Sequence, residues 1–67
     1  MDATRIAEKL ISLRGQKSRD VVSSELGISC SALAMYERGE RIPKDEIKIR
    51  IAEYYGLTVE EIFFARE

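Results

Sequence analysis

Histidine is missing from all 67 residues, and cysteine and proline occur once each. Without histidine the chain has neither the usual general base near neutral pH nor the commonest side-chain ligand for metals. Cys30 is alone, so it can join no intrachain disulfide framework and no cysteine zinc site. A glycine-rich phosphate loop is also lacking, and no catalytic constellation can be assembled from what remains. The chain is therefore expected to have no catalytic residue, no metal and no cofactor. No apolar run approaches the roughly 20 residues that span a bilayer, and no signal-peptide pattern opens the sequence. A soluble cytoplasmic protein without a membrane partner is the expectation.

The length allows one domain, 1–67. A core this small stabilises little, so tight helical packing or dimerisation is expected to help. The apolar residues are mostly Ile, Leu, Val and Ala, which with the single proline favours an all-α bundle. Net charge is −1, whereas nucleic-acid binders are often basic. Its distribution is uneven. Residues 1–44 carry eight basic and six acidic side chains, a balance of +2, and residues 45–67 carry three and six, a balance of −3. A basic rim can hold phosphate while the far side stays acidic.

Apolar spacing and capping residues mark five helices, with no repeat, low-complexity segment or linker between them. The first runs from about Ala3 to Arg14, with Ala3, Ile6, Ala7, Leu10 and Leu13 forming an inward stripe, and ends at Gly15. Ser18 is placed to cap the second, which ends at Leu26 before Gly27. Ser29 caps the third, which stops at Gly39. Pro43 pushes Ile42 towards an extended conformation. The fourth helix runs from about Asp45 to Tyr55 with Ile47, Ile51, Ala52 and Tyr55 inward. Thr58 and Glu61 then match a capping box, with Leu57 and Ile62 placed as a hydrophobic staple, and open a short fifth helix.

The stretch SRDVVSSELGISCSALAMYERG, from Ser18 to Gly39, carries most of the information. Val22, Leu26, Ile28, Leu33 and Tyr36 face one core, and a tight turn at Gly27 joins the two short helices. The small Ser23 sits four positions before that glycine, where two crossing helices approach closely. This is the layout of a helix-turn-helix, whose second helix is built to enter the DNA major groove. Spacing alone also admits an ordinary helical hairpin.

With ERGERIP following it, the segment resembles the Cro/CI-type (XRE-family) helix-turn-helix regulators. The Leu-Gly-Ile-Ser turn, the Tyr-Glu-x-Gly exit, the basic loop ending in Pro43 and the Ile-Ala-x-Tyr-Tyr-Gly-Leu helix end carry that resemblance. It covers nearly the whole chain. It implies a compact five-helix, lambda-repressor-like DNA-binding domain, and a sequence-specific transcriptional regulator whose partner is double-stranded DNA. The reading adopted is a repressor acting as a homodimer on a palindromic operator. A regulatory partner protein is a further expected partner. The alternative is a helical protein-interaction module that binds a regulator, toxin or anti-repressor.

With Leu33 and Tyr36 inward, the outer face of the third helix presents Cys30, Ser31, Ala34 and Met35, with the Ser29 cap beside them. These match the family's base-reading positions, yet the residue types depart from the usual Gln, Arg, Asn or Thr. None makes the bidentate bonds that Arg or Gln makes to a purine. Ser31 can bond to a base edge, and Ala34 and Met35 can meet a thymine methyl, so specificity is expected to lean on methyl contacts and DNA shape. Arg19 opens the second helix where the family commonly has glutamine. A cation there opposes the helix dipole, which points to a phosphate or guanine partner, or else to an ion pair with Asp20 or Glu37. Lys17, Arg38, Arg41 and Lys44 complete the rim expected to grip phosphates.

Three residues carry a second reading. Cys30 at a helix N-terminus suggests a thiol of lowered pKa, against a small semi-polar filler. Tyr36 is expected in the core rather than stacked on a base. Glu37 is expected as a structural carboxylate bonded to helix-end or arginine groups. Finally, Ile62, Phe63 and Phe64 are adjacent, one helix face cannot bury all three, and an exposed apolar patch marks an interface. They are expected to form the dimer contact, unless both phenylalanines fold back on the first helix.

Overall fold

The computed structural model describes residues 2–64 and consists of four α-helices and a final wide turn. The helices are α1 Ala3–Arg14, α2 Arg19–Leu26, α3 Cys30–Glu37 and α4 Asp45–Tyr55, and a π turn spans Glu60–Phe64. No strand occurs among the described residues. Side-chain caps set the helix starts by giving first-turn amides a partner they would otherwise lack. The Asp2 carboxylate accepts from the Thr4 and Arg5 amides at 3.0 and 3.2 Å. Ser18 accepts from Val21 N–H at 3.1 Å and Ser29 from Ala32 N–H at 3.0 Å. At α4 the head residue, Lys44, makes no side-chain cap, and Asp45 and Glu46 in the first turn complement the helix dipole instead.

The turn between α2 and α3 depends on Gly27, which sits in the left-handed region at φ 76°. Ile28 N–H then closes onto the Ser23 carbonyl at 3.0 Å, and Gly27 N–H onto Ser24 at 3.1 Å. This paired closure satisfies the last carbonyls of α2 and leaves Ser29 free to start α3 at once. Gly39 does the same for α3, at φ 75°. A Cβ there would also lie 3.4 Å from the Ala3 carbonyl oxygen, so the exit of α3 runs close against the start of α1.

The helices enclose one core. α1 packs on α3 and on the π turn, and α2 packs on α3 and α4. Ile6 and Leu10 from α1, Val22 and Leu26 from α2, Leu33 and Tyr36 from α3, and Ile51 and Ala52 from α4 meet in it. The boundaries and inward faces read from the sequence agree with this arrangement.

The π turn corrects one expectation. Thr58 and Glu61 do form a reciprocal box: Glu61 N–H donates to Thr58 Oγ1 at 3.0 Å and Thr58 N–H to the Glu61 carboxylate at 2.9 Å. The turn that this box opens is wider than an α-helix. An α-helix advances about 100° per residue; a turn closed from i to i+5 advances by less, so adjacent side chains diverge less. Ile62 and Phe63 therefore both face inward, at 0 % and 2 % exposure, and belong to the monomer core rather than to a dimer contact. Arg5 Nη2 donates to the Ile62 carbonyl at 3.3 Å, which ties the turn to α1. Only Phe64 of the three remains outside, 52 % exposed.

Ser23 is 4 % exposed, and its hydroxyl donates to the Asp20 carbonyl at 3.3 Å. Its carbonyl accepts from Ile28 N–H at 3.0 Å, which places it where α2 turns into α3. Ser23→Leu is expected to overpack the α2–α3 crossing at a cost of about 1–3 kcal/mol, lowering the melting temperature by roughly 4–8 °C per kcal/mol in a domain this small. A variant that melts with the parent places Ser23 outside the crossing.

Candidate nucleic-acid interface

α3 turns three residues inward near its end: Leu33, Tyr36 and Glu37 are 2 %, 7 % and 2 % exposed. The opposite face carries Cys30 and Ser31, exposed, and Ala34 and Met35, half-buried. At 100° per residue these four fall within an arc of about 140°. Ser29 is exposed beside them, but its hydroxyl is committed to the Ala32 cap. The four residues expected to read bases thus share one face of α3. This strip offers one free hydroxyl, a thiol and apolar groups.

Cys30 departs from the reactive-thiol reading. A hydrogen bond to the Asp20 carboxylate, then burial and the Asp20 charge, push its pKa up, while Ser23 and Arg19 oppose them more weakly. The Asp20 carboxylate on α2 thus acts against a lowered thiol pKa. That favours the filler reading.

Beneath the strip lies the most constrained polar group of the domain. Glu37 accepts from Arg14 Nε on one carboxylate oxygen and from Arg19 Nε on the other, each at 2.8 Å. Its side chain is fully buried, while those of Arg14 and Arg19 are 17 % and 37 % exposed. Burial alone pushes the Glu37 pKa up. The hydrogen bonds and charges of Arg14 and Arg19 together overcome that and hold it below the ordinary 4.5. Arg14 also donates from Nη1 to the Lys17 carbonyl at 2.7 Å, fixing the loop that leads into α2. Glu37 thus has the structural role expected of it, and Arg19 makes the ion pair that stood as the alternative to a DNA contact.

The remaining basic residues differ in how far they are occupied. Lys17 Nζ lies 3.3 Å from the Tyr54 hydroxyl and 3.9 Å from Glu25, and stands 5.4 Å from the centre of the Tyr54 ring. The Tyr54 hydroxyl in turn donates to Glu25. Arg38 is held as a fork by Glu40, with Nε and Nη2 at 3.0 and 3.1 Å from its two carboxylate oxygens. Arg41 and Lys44 are exposed and form no ion pair among the described residues. They are the two rim cations most available to a phosphate.

Sequence reasoning passed over two arginines. Arg14 reads as an ordinary helix-end cation, yet the buried acid at Glu37 needs a partner, and that need was the available signal. Arg50, on α4, donates from Nη1 to the carbonyls of Leu26 and Gly27 at 3.1 and 3.4 Å. It caps the C-terminal end of α2, where a cation is favoured, and props the turn ahead of α3. Nothing local to Arg50 announces this, because its partners lie 24 and 23 residues away.

Away from the strip, Phe64 and Ile49, each 52 % exposed, line an open apolar cleft with Val59, bordered by Asp45 and Lys48. Lys48 Nζ stands 5.4 Å from the centre of the Phe64 ring and 3.4 Å from Asp45.

The sequence profile of a helix-turn-helix family matches residues 10–62, most of the chain. No curated protein and no solved structure matches it significantly.

The folded-state pKa of Glu37 lies below its unfolded value. Its contribution to stability is therefore complete above about pH 4.5 and is lost as pH falls through the depressed value. Chemical denaturation followed from neutral pH down to about 3 is expected to show the parent losing stability below pH 4.5. Glu37→Gln should start lower and fall less steeply over that window. Parallel acid limbs for the two proteins would show that Glu37 does not drive the transition.

Proposed function

The chain belongs to the Cro/CI-type helix-turn-helix family and is a DNA-binding regulator of transcription, and from that premise we propose that it is a cytoplasmic repressor acting as a homodimer on a palindromic operator. The observation that supports this best is the outward strip of exposed Ser31 and half-buried Ala34 and Met35 on α3, flanked by Arg19 at the head of α2 and by Arg41 and Lys44 beyond the helix exit. A helix presented this way fits the major groove while cations at its two ends meet the phosphates on either side. Cys30 and Ser29 border the strip, and Lys17 and Arg38 add positive charge near it. Repression needs nothing more than occupancy, since a bound domain excludes other proteins from the same stretch of duplex. Its level would then be set by concentration or by a regulatory partner protein.

The base chemistry comes from the strip. No side chain on it makes a bidentate purine contact, so discrimination comes from Ser31 at a base edge, from methyl contacts by Ala34 and Met35, and from the shape of the duplex. Affinity rests on phosphate contacts and depends steeply on salt. The dimer contact is assigned to Phe64, with Ile49 and Val59 beside it. A second copy across a two-fold axis covers this cleft with the same residues, and its Asp45 and Lys48 offer opposite charges at the rim. Such a dimer presents two copies of α3 about 34–36 Å apart. The same exposed cleft is what favours the second reading, a protein-interaction module, and binding to random duplex DNA separates the two.

In a salt titration on random duplex DNA, Arg41→Ala is expected to weaken binding to all sequences alike and to lower the slope of log K against log salt by about one. An unchanged slope removes Arg41 from the phosphate contacts. Phe64→Ser should leave the helical content and melting temperature close to the parent, because the side chain lies outside the core. Sedimentation should then report a monomer, and operator affinity should drop by roughly 10²–10⁴ through loss of the second half-site. A dimer that survives Phe64→Ser forms through another surface.

A further inference from the structure

The network under α3 is not electrically balanced. One buried carboxylate faces two guanidinium groups, so the cluster of Arg14, Glu37 and Arg19 keeps one positive charge in surplus. Arg14 cannot carry that surplus outward. Its Nε is bonded to Glu37, its Nη1 to the Lys17 carbonyl, and its side chain is 17 % exposed. Arg19 can. Among the described residues only its Nε is engaged, by Glu37 at 2.8 Å, and its side chain is 37 % exposed. A guanidinium held by Nε has its plane fixed, and its end-on pair of parallel N–H groups, one on each terminal nitrogen, is turned about 120° from the Nε–H bond to the acid. That geometry suits a single phosphate held by two parallel N–H bonds.

We propose that Glu37 is a positioning residue for DNA: by holding Arg19 Nε it aims the terminal fork of Arg19 at one phosphate beside the head of α2. The inference rests on the DNA-binding reading above. It adds that the contact is made by orientation, not by charge alone. Glu37 sits at the end of α3 and Arg19 at the start of α2, so the bond also fixes the phosphate contact relative to the reading strip. Register on the duplex is thereby set from inside the core.

Charge alone and positioning predict opposite signs for one substitution. Glu37→Gln removes a negative charge next to the interface, which by simple electrostatics strengthens binding to DNA. Positioning predicts the reverse. The amide has one oxygen for two arginines, the more buried Arg14 keeps it, and Arg19 is released. Binding of the full chain to random duplex DNA across a salt series is therefore expected to weaken in Glu37→Gln, with the slope of log K against log salt falling by about one. Arg19→Lys provides the second variant, and it should fold because that side chain is partly exposed. It keeps the charge but has one ammonium, which cannot bond Glu37 and present a fork at once, so it should lose the same unit of slope as Arg19→Gln. Full slope in Arg19→Lys, or a Glu37→Gln protein that folds and binds more tightly, overturns the positioning role and leaves DNA binding standing. A parent protein with no salt-dependent binding to duplex DNA overturns both.

Discussion

The buried carboxylate of Glu37 is the constraint on which the rest of the domain turns. An ionised carboxylate without water is costly, and the cost is offset only when its oxygens are bonded and its charge is met. Arg14 brings the end of α1 to it and Arg19 brings the start of α2, both at 2.8 Å. The acid itself is the last residue of α3. Three helices are thus fixed at one point, and removing both arginines would strand a buried charge. An apolar residue in its place could pack as well, but it could not set the direction of two guanidinium groups. Directionality is what an interface on the outside of α3 requires.

A second polar strut works from the other side. Arg50 on α4 bonds the two carbonyls at the close of α2, next to Gly27. The α2–α3 pair is therefore held from beneath by an apolar core, at its far ends by Arg19 and Glu37, and at its corner by Arg50. The angle between the two helices decides whether α3 can lie in a groove while the head of α2 meets the backbone. Bonds at both ends of the helix pair, with the core between them, fix that angle.

The charge balance shows the same division of labour. The chain is slightly acidic as a whole, yet Glu25 and Glu40 spend part of that acidity locally on Lys17 and Arg38. Of the rim cations, Arg41 and Lys44 form no ion pair among the described residues, and Arg19 shares the single carboxylate of Glu37 with Arg14. Net charge is thus a poor guide to the local charge of a surface, since the sum hides which acids are already paired within the chain.

Much of the architecture was written in short stretches. Asp2, Ser18 and Ser29 cap helices within three residues of themselves, Gly27 and Gly39 close them, and Thr58 with Glu61 opens the final turn; such interactions need no knowledge of the rest of the chain. The inward faces of α1, α2, α3 and α4 were legible from apolar spacing for the same reason. Whatever lay beyond that range was decided by packing. Arg14 and Arg19 reach Glu37 across 23 and 18 positions, and Arg5 reaches the Ile62 carbonyl across 57. The burial of Ile62 together with Phe63 depended on a widened turn docking against α1, which no local pattern specifies. Sequence by itself determined where the helices lie and which face each turns inward, because hydrogen bonds and apolar periodicity act over a few residues. Tertiary structure alone decided which cations are occupied, that Arg14 joins Arg19 on Glu37 and which phenylalanine is left outside, because charge pairing and burial depend on distances between segments that only the folded chain brings together.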